Sequence, residues 1–178
     1  LSGNAITEAF VFGERAGSFA AEEASGKTTA WDPRYAADAL EELDARSHGD
    51  QAGQERGPEF HGIATELRDL MWDKVGLIRT EAGLSDALSR IRALQREIEA
   101  EPASGATAFD LSLMDWYDLR ASLITAESVT LAALNRTESR GAHWREDFPT
   151  NDPAFEKNQT VAMSAKGMET AWVPVVRQ

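Results

Sequence analysis

A short segment near the C-terminus concentrates side chains that could do chemistry. Between Thr137 and Asp147, five charged residues and one histidine surround a glycine; they are Glu138, Arg140, His143, Arg145, Glu146 and Asp147. Arginine binds carboxylates with two parallel hydrogen bonds, and histidine can donate a proton near neutral pH. Two interpretations follow. The charges form ion pairs that pin an irregular loop to its domain, or Arg140, His143 and Arg145 form a site for an anionic ligand or a subunit contact.

The rest of the chain offers no complete active site. It has no Gly-x-Gly-x-x-Gly motif, no phosphate-binding loop and no convincing Ser-His-Asp arrangement. The absence of cysteine excludes disulfides, thiolate metal ligands and a cysteine nucleophile. Three widely spaced histidines and an acidic stretch over 38–44, which lacks a Glu-x-x-His pattern, give little support to a metal site. The sequence therefore predicts no catalytic residue and no metal site.

Composition limits the classes of function. The 178 residues are 42% hydrophobic and 27% charged, which suits one domain, or one domain with a small appendage. The net charge of −12 argues against nucleic-acid binding, which depends on basic surfaces. No apolar run reaches the length of about 20 residues that a transmembrane helix needs. Charged residues interrupt the first apolar stretch, which argues against a signal peptide.

Hydrophobic periodicity predicts helices followed by a β-ribbon. Five helices are expected, over 6–24, from Asp32-Pro33 to about 46, and over 59–78, 84–100 and 110–136. The last of them is expected to have Asp110 as its N-cap and to be the central helix of the bundle. Residues 47–58 are expected to form a loop. Alternating residues around Lys166-Gly167 predict a hairpin, with Pro174 near a strand end. The predicted fold class is mainly α, a bundle of about three to five helices with a C-terminal irregular segment and a β-hairpin.

Three stretches carry a family resemblance. They are "LSGNAITEAFVFGERAG", "VGLIRTEAGLSDALSRI" and "ALNRTESRGAHWREDFPTNDPAFEKNQ". In this order they resemble motifs of the flavoprotein subunits of succinate dehydrogenase and fumarate reductase, with L-aspartate oxidase as a close relative. The C-terminal hairpin resembles the family more loosely, and Asn151 and Pro153 depart from its commoner Arg-Asp-Asp pattern.

The resemblance implies that this chain is the C-terminal helical part of such a flavoprotein. The implied division is 1–26 as the terminal helix of a missing FAD-binding domain, 27–136 as the helical bundle, and 137–178 as a loop and hairpin extension. In the family, the stretch matching Gly3, Asn4, Ala5 and Ile6 is a turn that faces the flavin. Backbone N–H groups at a helix start suit the negative charge of reduced flavin. Ala5 stands where many members have serine, so a hydroxyl contact to FAD is lost.

The second motif implies an interface or a structural ion-pair cluster rather than catalysis. Its members here are Glu138, Arg140, His143, Arg145 and Asp147. The implied partners are the FAD-binding domain and an iron–sulfur subunit, and a homo-oligomer could form through the first helix, whose small residues suit close packing. The implied location is the cytoplasm, with membrane attachment only through partner subunits.

The parent is expected to be an FAD-dependent oxidoreductase, whereas this chain alone is expected to bind no FAD and to be inactive. The alternatives are the C-terminal domain of an L-aspartate oxidase, and a stand-alone helical module that docks a separate redox chain.

Overall fold

The computed structural model describes residues 2–27, 32–47, 57–100 and 111–176. Five α-helices are α1 (Ser2–Ala24), α2 (Pro33–Ser47), α3 (Gly57–Val75), α4 (Glu81–Ala100) and α5 (Ser112–Asn135). The strands are β1 (Ile78–Arg79), β2 (Trp144–Arg145), β3 (Lys157–Ser164) and β4 (Gly167–Pro174), with a 3₁₀ turn at Pro153–Phe155. The chain divides into two compact units, Leu1–Glu41 and Glu42–Gln178. The predicted mainly α class with a C-terminal hairpin is confirmed.

Helix α1 begins earlier than the sequence predicts. The sequence predicts a turn over Gly3 and Asn4 before a helix from Ile6, but the backbone is helical from Ser2. This start is physically reasonable because the first four N–H groups of a helix have no intrahelical partner, and Ser and Asn are favoured there. Gly26, with φ +100°, follows the predicted C-terminal end.

The side chains of α1 from Ile6 onward are exposed. They include three phenylalanines, Phe10, Phe12 and Phe19. A Cβ atom placed on Gly13 or Gly17 would meet nothing within 4 Å. The close packing that the small residues of this helix predict is therefore not observed among the described residues.

The start of α2 agrees with the predicted Asp-Pro signal. The Asp32 carboxylate accepts a hydrogen bond from the Arg34 backbone N–H at 3.0 Å, and Pro33 is the first helical residue. The acidic residues of this helix form no metal centre: within the described ranges, no group of three or more His, Asp or Glu side chains could hold an ion.

The core of the second unit lies between α3, α4 and α5. The fully buried Trp116 is its largest side chain, and the indole N–H donates to the Ile98 carbonyl at 2.9 Å. A second apolar group at the other end of the helices comprises Val75, Leu84, Ala87 and Ala133. Helix α5 contacts α3, α4 and both strands of the hairpin, which confirms its predicted central place. The main core residues are Phe60, Leu67, Ile91, Leu94, Ile98, Trp116, Leu119, Leu123 and Ala126.

Several boundaries differ from the predictions. Helix α5 has Leu111 as N-cap, with no side-chain hydrogen bond, whereas the predicted cap Asp110 lies outside the described residues, as does most of the predicted loop over 47–58. Helix α3 ends at Val75 and not at 78. The chain folds back there so tightly that a Cβ atom on Gly76 would lie 2.4 Å from the Trp72 carbonyl oxygen.

The strands form two separate two-stranded sheets. β3 and β4 pair antiparallel from Lys157↔Pro174 to Ser164↔Gly167, and Gly167 has φ +106°, which confirms the predicted hairpin and turn. The short β1 and β2 pair in parallel, Ile78 with Trp144 and Arg79 with Arg145, and were not predicted. No helix of the described chain has the length and apolarity that crossing a bilayer requires.

Candidate functional site: a buried arginine–carboxylate cluster

The β1–β2 pairing brings the charged segment against the ends of the helices. A tight turn at Arg140–His143 precedes β2, with reciprocal backbone hydrogen bonds of 2.8 and 3.0 Å between these two residues. Gly141 in this turn has φ +59°, a left-handed conformation that favours glycine. The charged side chains that meet around this turn are called the charge cluster below. Its members are Arg79, Arg136, Glu138, Arg140, His143, Arg145 and Asp147.

Arg145 lies at the centre of the charge cluster and is completely buried. Its guanidinium donates two hydrogen bonds to the carboxylate of Asp147, at 2.8 and 2.9 Å. A third nitrogen donates to the carbonyls of Ala133 and Leu134, both at 3.1 Å. These carbonyls belong to the last turn of α5, where they lack intrahelical donors and where the helix dipole favours a cation. Arg145 therefore closes the C-terminal end of α5.

Asp147 connects this arginine to a second helix. Its Oδ2 accepts a hydrogen bond of 2.7 Å from the backbone N–H of Glu81, the first residue of α4. A carboxylate at a helix N-terminus satisfies a free N–H group and interacts favourably with the helix dipole. The hydrogen bonds from Arg145 are the main reason that the pKa of Asp147 falls to about 2. The Arg145–Asp147 pair thus joins the end of α5 to the start of α4.

Glu138 is the second fully buried member of the charge cluster. Its carboxylate accepts hydrogen bonds from Arg136 at 2.5 Å and from Arg140 at 2.9 and 3.0 Å. It also accepts the backbone N–H of Asp152 at 2.9 Å. These donors, Arg140 first among them, lower the pKa of Glu138 to about 2. Four donors around one carboxylate compensate the cost of burying its charge.

His143 is held in its neutral form by two neighbours. Its Nδ1 lies 2.9 Å from an Arg79 nitrogen, which can only donate, and its Nε2 lies 3.0 Å from the Arg136 carbonyl oxygen, which can only accept. The proton therefore belongs on Nε2. Burial, followed by repulsion from the cations Arg79, Arg136 and Arg145, lowers the pKa of His143. This environment does not suit a proton donor at neutral pH.

The geometry favours the structural interpretation of the charged segment over the anionic-ligand interpretation. Arg145 has no exposed surface, and Arg140 is occupied by Glu138. Sequence reasoning missed Arg79, which lies 64 residues from His143 and joins the cluster only through the tertiary fold. It also missed Arg136, although this residue directly precedes the dense segment and pairs with Glu138 two positions away, a proximity that could have indicated it. Gly3, Asn4, Ala5 and Ile6, predicted to face a flavin, lie in the first turns of α1, where the Ile6 side chain is exposed.

We predict that the stability of the protein falls in acid through Glu138 and Asp147. A carboxyl whose pKa is lowered in the folded state stabilises it above the unfolded pKa and loses that contribution as the pH falls. For Glu138 this stabilisation is lost as the pH falls from about 4.5, the usual pKa of the side chain, to about 2, its pKa in the folded protein. Urea unfolding at a series of pH values measures it. A free energy of unfolding that stays constant across this range would contradict the prediction.

A second prediction concerns the protonation of His143. Because the folded-state pKa is lowered, His143 remains neutral after an unperturbed histidine, with its pKa of 6.5, has become charged. Long-range ¹⁵N–¹H NMR of the imidazoles is expected to show an Nε2–H tautomer that titrates below that value. The same chain in urea provides the unperturbed reference. An Nδ1–H tautomer in the folded protein would show that the Arg79 contact is absent.

Comparison with known protein families finds one family that matches this chain. The family described as "Fumarate reductase flavoprotein C-term" matches residues 64–178, which include α4, α5, the charge cluster and the hairpin. The match covers more than half of the chain.

Individual relatives agree with this match. The chain is 35% identical over 159 residues to one subunit of the CoM/CoB fumarate reductase of Methanothermobacter marburgensis, covering 89% of this chain and 28% of that protein. It is 40% identical over 84 residues to L-aspartate oxidase of Yersinia pestis, covering 47% of this chain and 15% of that enzyme.

Solved structures show the same fold. Mycobacterium smegmatis Sdh1, solved in complex with UQ1, superposes with a TM-score of 0.78 at 29% identity, over 100% of this chain and 30% of that one. The chain thus spans less than a third of the length of the fumarate reductase relative and of this solved structure. It belongs to the succinate dehydrogenase/fumarate reductase flavoprotein family and comprises the C-terminal domain of that family.

Proposed function

We propose that this domain is the helical support of an FAD-dependent oxidoreductase that interconverts succinate and fumarate. The observation that carries the proposal is the charge cluster. Its ion pairs lie within the segment before the hairpin, and hydrogen bonds from Arg145 and to Asp147 join that segment to the end of α5 and the start of α4. Its charged groups are engaged in structural contacts. The role of the domain is to stabilise the packing of the FAD-binding domain and to provide subunit contacts, while the chemistry belongs to the FAD-binding part.

The first turn of α1 fits one edge of a flavin. The first backbone N–H groups of a helix are free, and no acidic residue of α1 neutralises them in this turn. In the proposal, Gly3, Asn4, Ala5 and Ile6 offer these N–H groups to the pyrimidine edge of FAD, where they stabilise negative charge. Ala5 can offer only its backbone. Bound FAD would supply the electron transfer between the dicarboxylate and an acceptor.

The proposed partners follow from the same assignment. The domain would contact the FAD-binding domain of its own subunit, together with an iron–sulfur subunit that carries electrons onward. The protein would work in the cytoplasm and reach the inner face of the membrane only through partner subunits. A homo-oligomer formed through the exposed apolar side chains of α1 is a further part of the proposal.

L-Aspartate oxidase is the second candidate for the parent enzyme. The observation in its favour is the 40% identity to the Yersinia pestis enzyme over 84 residues. The two candidate enzymes differ in their substrate and in their electron acceptor, so an activity assay distinguishes them. A stand-alone module that docks a separate redox chain is the third candidate, and the mass of the native product separates it from a longer flavoprotein.

The test uses the native gene product together with the 178-residue chain. We expect a flavoprotein several times larger than this chain, with a visible flavin absorption band and succinate-dependent reduction of an artificial acceptor. The 178-residue chain is expected to be colourless and inactive. Oxygen-dependent oxidation of aspartate would assign the parent to the second candidate. A native product with the mass of this chain would favour the module, and flavin bound to this chain alone would contradict the proposed division of roles.

A further inference from the structure

A groove with a volume of about 640 Å³ lies between α4, α5 and the turn of the C-terminal hairpin. This volume is typical of small-molecule sites in proteins. Four of the side chains that line the groove are cationic, namely Arg92, Arg96, Arg120 and Lys166. The whole chain has a net charge of −12, so the concentration of positive charge is a local feature. The cavity lined by these four side chains is called the basic groove below.

Two of the four cations are compensated within the basic groove. Arg92 donates through Nε to Glu127 at 2.9 Å. The second oxygen of the buried Glu127 accepts a hydrogen bond of 2.9 Å from the Gln95 amide. Arg120 Nε lies 3.1 Å from a carboxylate oxygen of Glu99. Both carboxylates of the groove are therefore held by arginines, and no third carboxylate of the described residues lines it.

The other two cations, Arg96 and Lys166, have no acidic partner among the described residues. Arg96 lies one helical turn from Arg92 on α4, a spacing at which like charges repel each other. Lys166 lies in the hairpin turn, directly before Gly167 with its φ of +106°. A doubly charged anion bound between α4 and this turn would compensate both cations.

Apolar side chains line the same groove. Ile98 is almost completely buried, whereas Ile124 is 39% exposed and Met163 62% exposed. Met168 is the cross-strand partner of Met163. Methionine side chains are flexible and adapt to irregular ligand shapes. None of the described residues that line the groove is aromatic, so a nucleobase would find no ring on which to stack, and an aliphatic body fits this lining better.

We propose that the basic groove binds an aliphatic phosphate monoester, whose phosphate pairs with Arg96 and Lys166 and whose chain contacts Ile124 and Met163. A phosphate monoester carries a charge of about −1.5 to −2 at neutral pH, which matches the two uncompensated cations. The planar fork of arginine also suits the geometry of phosphate oxygens. A fatty acid supplies only one negative charge. The proposal does not depend on the proposed function, because it uses only side chains of this chain and none of the charge cluster.

Isothermal titration calorimetry of the native gene product with hexyl phosphate tests the proposed ligand class. Hexyl phosphate is expected to bind about ten-fold more tightly than inorganic phosphate, which lacks the chain, and about ten-fold more tightly than hexanoate, which has one charge. No binding of hexyl phosphate would overturn the site. Equal affinity for inorganic phosphate would overturn the role of the chain, and equal affinity for hexanoate would overturn the role of the doubly charged head.

Variants of the two uncompensated cations test their pairing with the phosphate. Arg96→Gln and Lys166→Gln change exposed side chains, and each is expected to weaken the binding of hexyl phosphate about ten-fold. Arg90→Gln is the matched control: it removes the same charge from the same helix, but Arg90 pairs with Glu66 and Glu97 and does not line the groove. Equal weakening in all three variants would mean that binding responds only to net charge, which would overturn the assignment to the groove.

Methyl NMR of the methionines locates the bound ligand. The ¹³C-methyl signals of Met163 and Met168, which line the basic groove, are expected to shift when hexyl phosphate is added. Met71 and Met114 do not line it and serve as internal references. Met163→Ser assigns one signal and is expected to lower the preference for hexyl phosphate over inorganic phosphate about three-fold. Binding in calorimetry without shifts at Met163 and Met168 would place the ligand elsewhere and overturn the proposal.

Discussion

Replacement of Arg145 by methionine is expected to lower the free energy of unfolding by about 3–5 kcal/mol, the usual cost of breaking a buried ion pair from one side. Methionine fills much of the space but offers no donor. The carboxylate of Asp147 then loses both hydrogen bonds from Arg145, and the carbonyls of Ala133 and Leu134 lose their donor. Because these groups lie at the ends of α4 and α5, both helix ends are weakened together.

Urea unfolding followed by circular dichroism measures this effect. Arg90→Met is the matched control, since Arg90 pairs with Glu66 and Glu97 on the surface, and its loss should cost no more than about 1 kcal/mol. Arg145→Lys separates charge from geometry: lysine keeps the charge but lacks the planar fork, so we expect it to recover only part of the loss. Equal stability of Arg145→Met and Arg90→Met would mean that Arg145 is not the central contact.

The helical fold could be predicted because its signals are local. The apolar residues of α3 and α4 recur at helical spacing, and the structure buries several of them, among them Leu67, Ile91, Leu94 and Ile98. The hairpin could be predicted equally well, since alternating side chains flank a glycine that adopts a positive φ. The parallel pairing of β1 and β2 has no such signal. Each strand has two residues, and Ile78 and Trp144 are far apart in the sequence.

The charge cluster was only partly predictable for a related reason. The density of charged residues between 137 and 147 indicated that ion pairs or a binding site would form there. It did not indicate which acidic side chain would pair with which basic one. Asp147 stabilises the start of a helix 66 residues earlier in the chain, and His143 meets Arg79 across 64 residues. Burial favours ion pairs over an anionic-ligand site, and burial depends on the tertiary fold. The same dependence explains why Arg79 was missed.

Glu138→Gln is expected to lower the free energy of unfolding by about 3 kcal/mol and to loosen the hairpin before the helices. Glutamine keeps an acceptor but not the charge that Arg136 and Arg140 share. Arg136 also donates to the carbonyls of Phe155 and Lys157 at 2.9 Å and lies 4.8 Å from the Trp172 ring centre, so its release affects β3 and β4 first.

Hydrogen exchange of Glu138→Gln should therefore accelerate in the hairpin more than in α4, whereas Glu97→Gln, a surface control, should change neither. The pH gives an independent check on the mechanism. Wild-type Glu138 becomes protonated as the pH approaches about 2, so the difference between the wild type and Glu138→Gln should vanish there. A difference that persisted at that pH would show that the shape of the side chain, and not its charge, holds Arg136 in place.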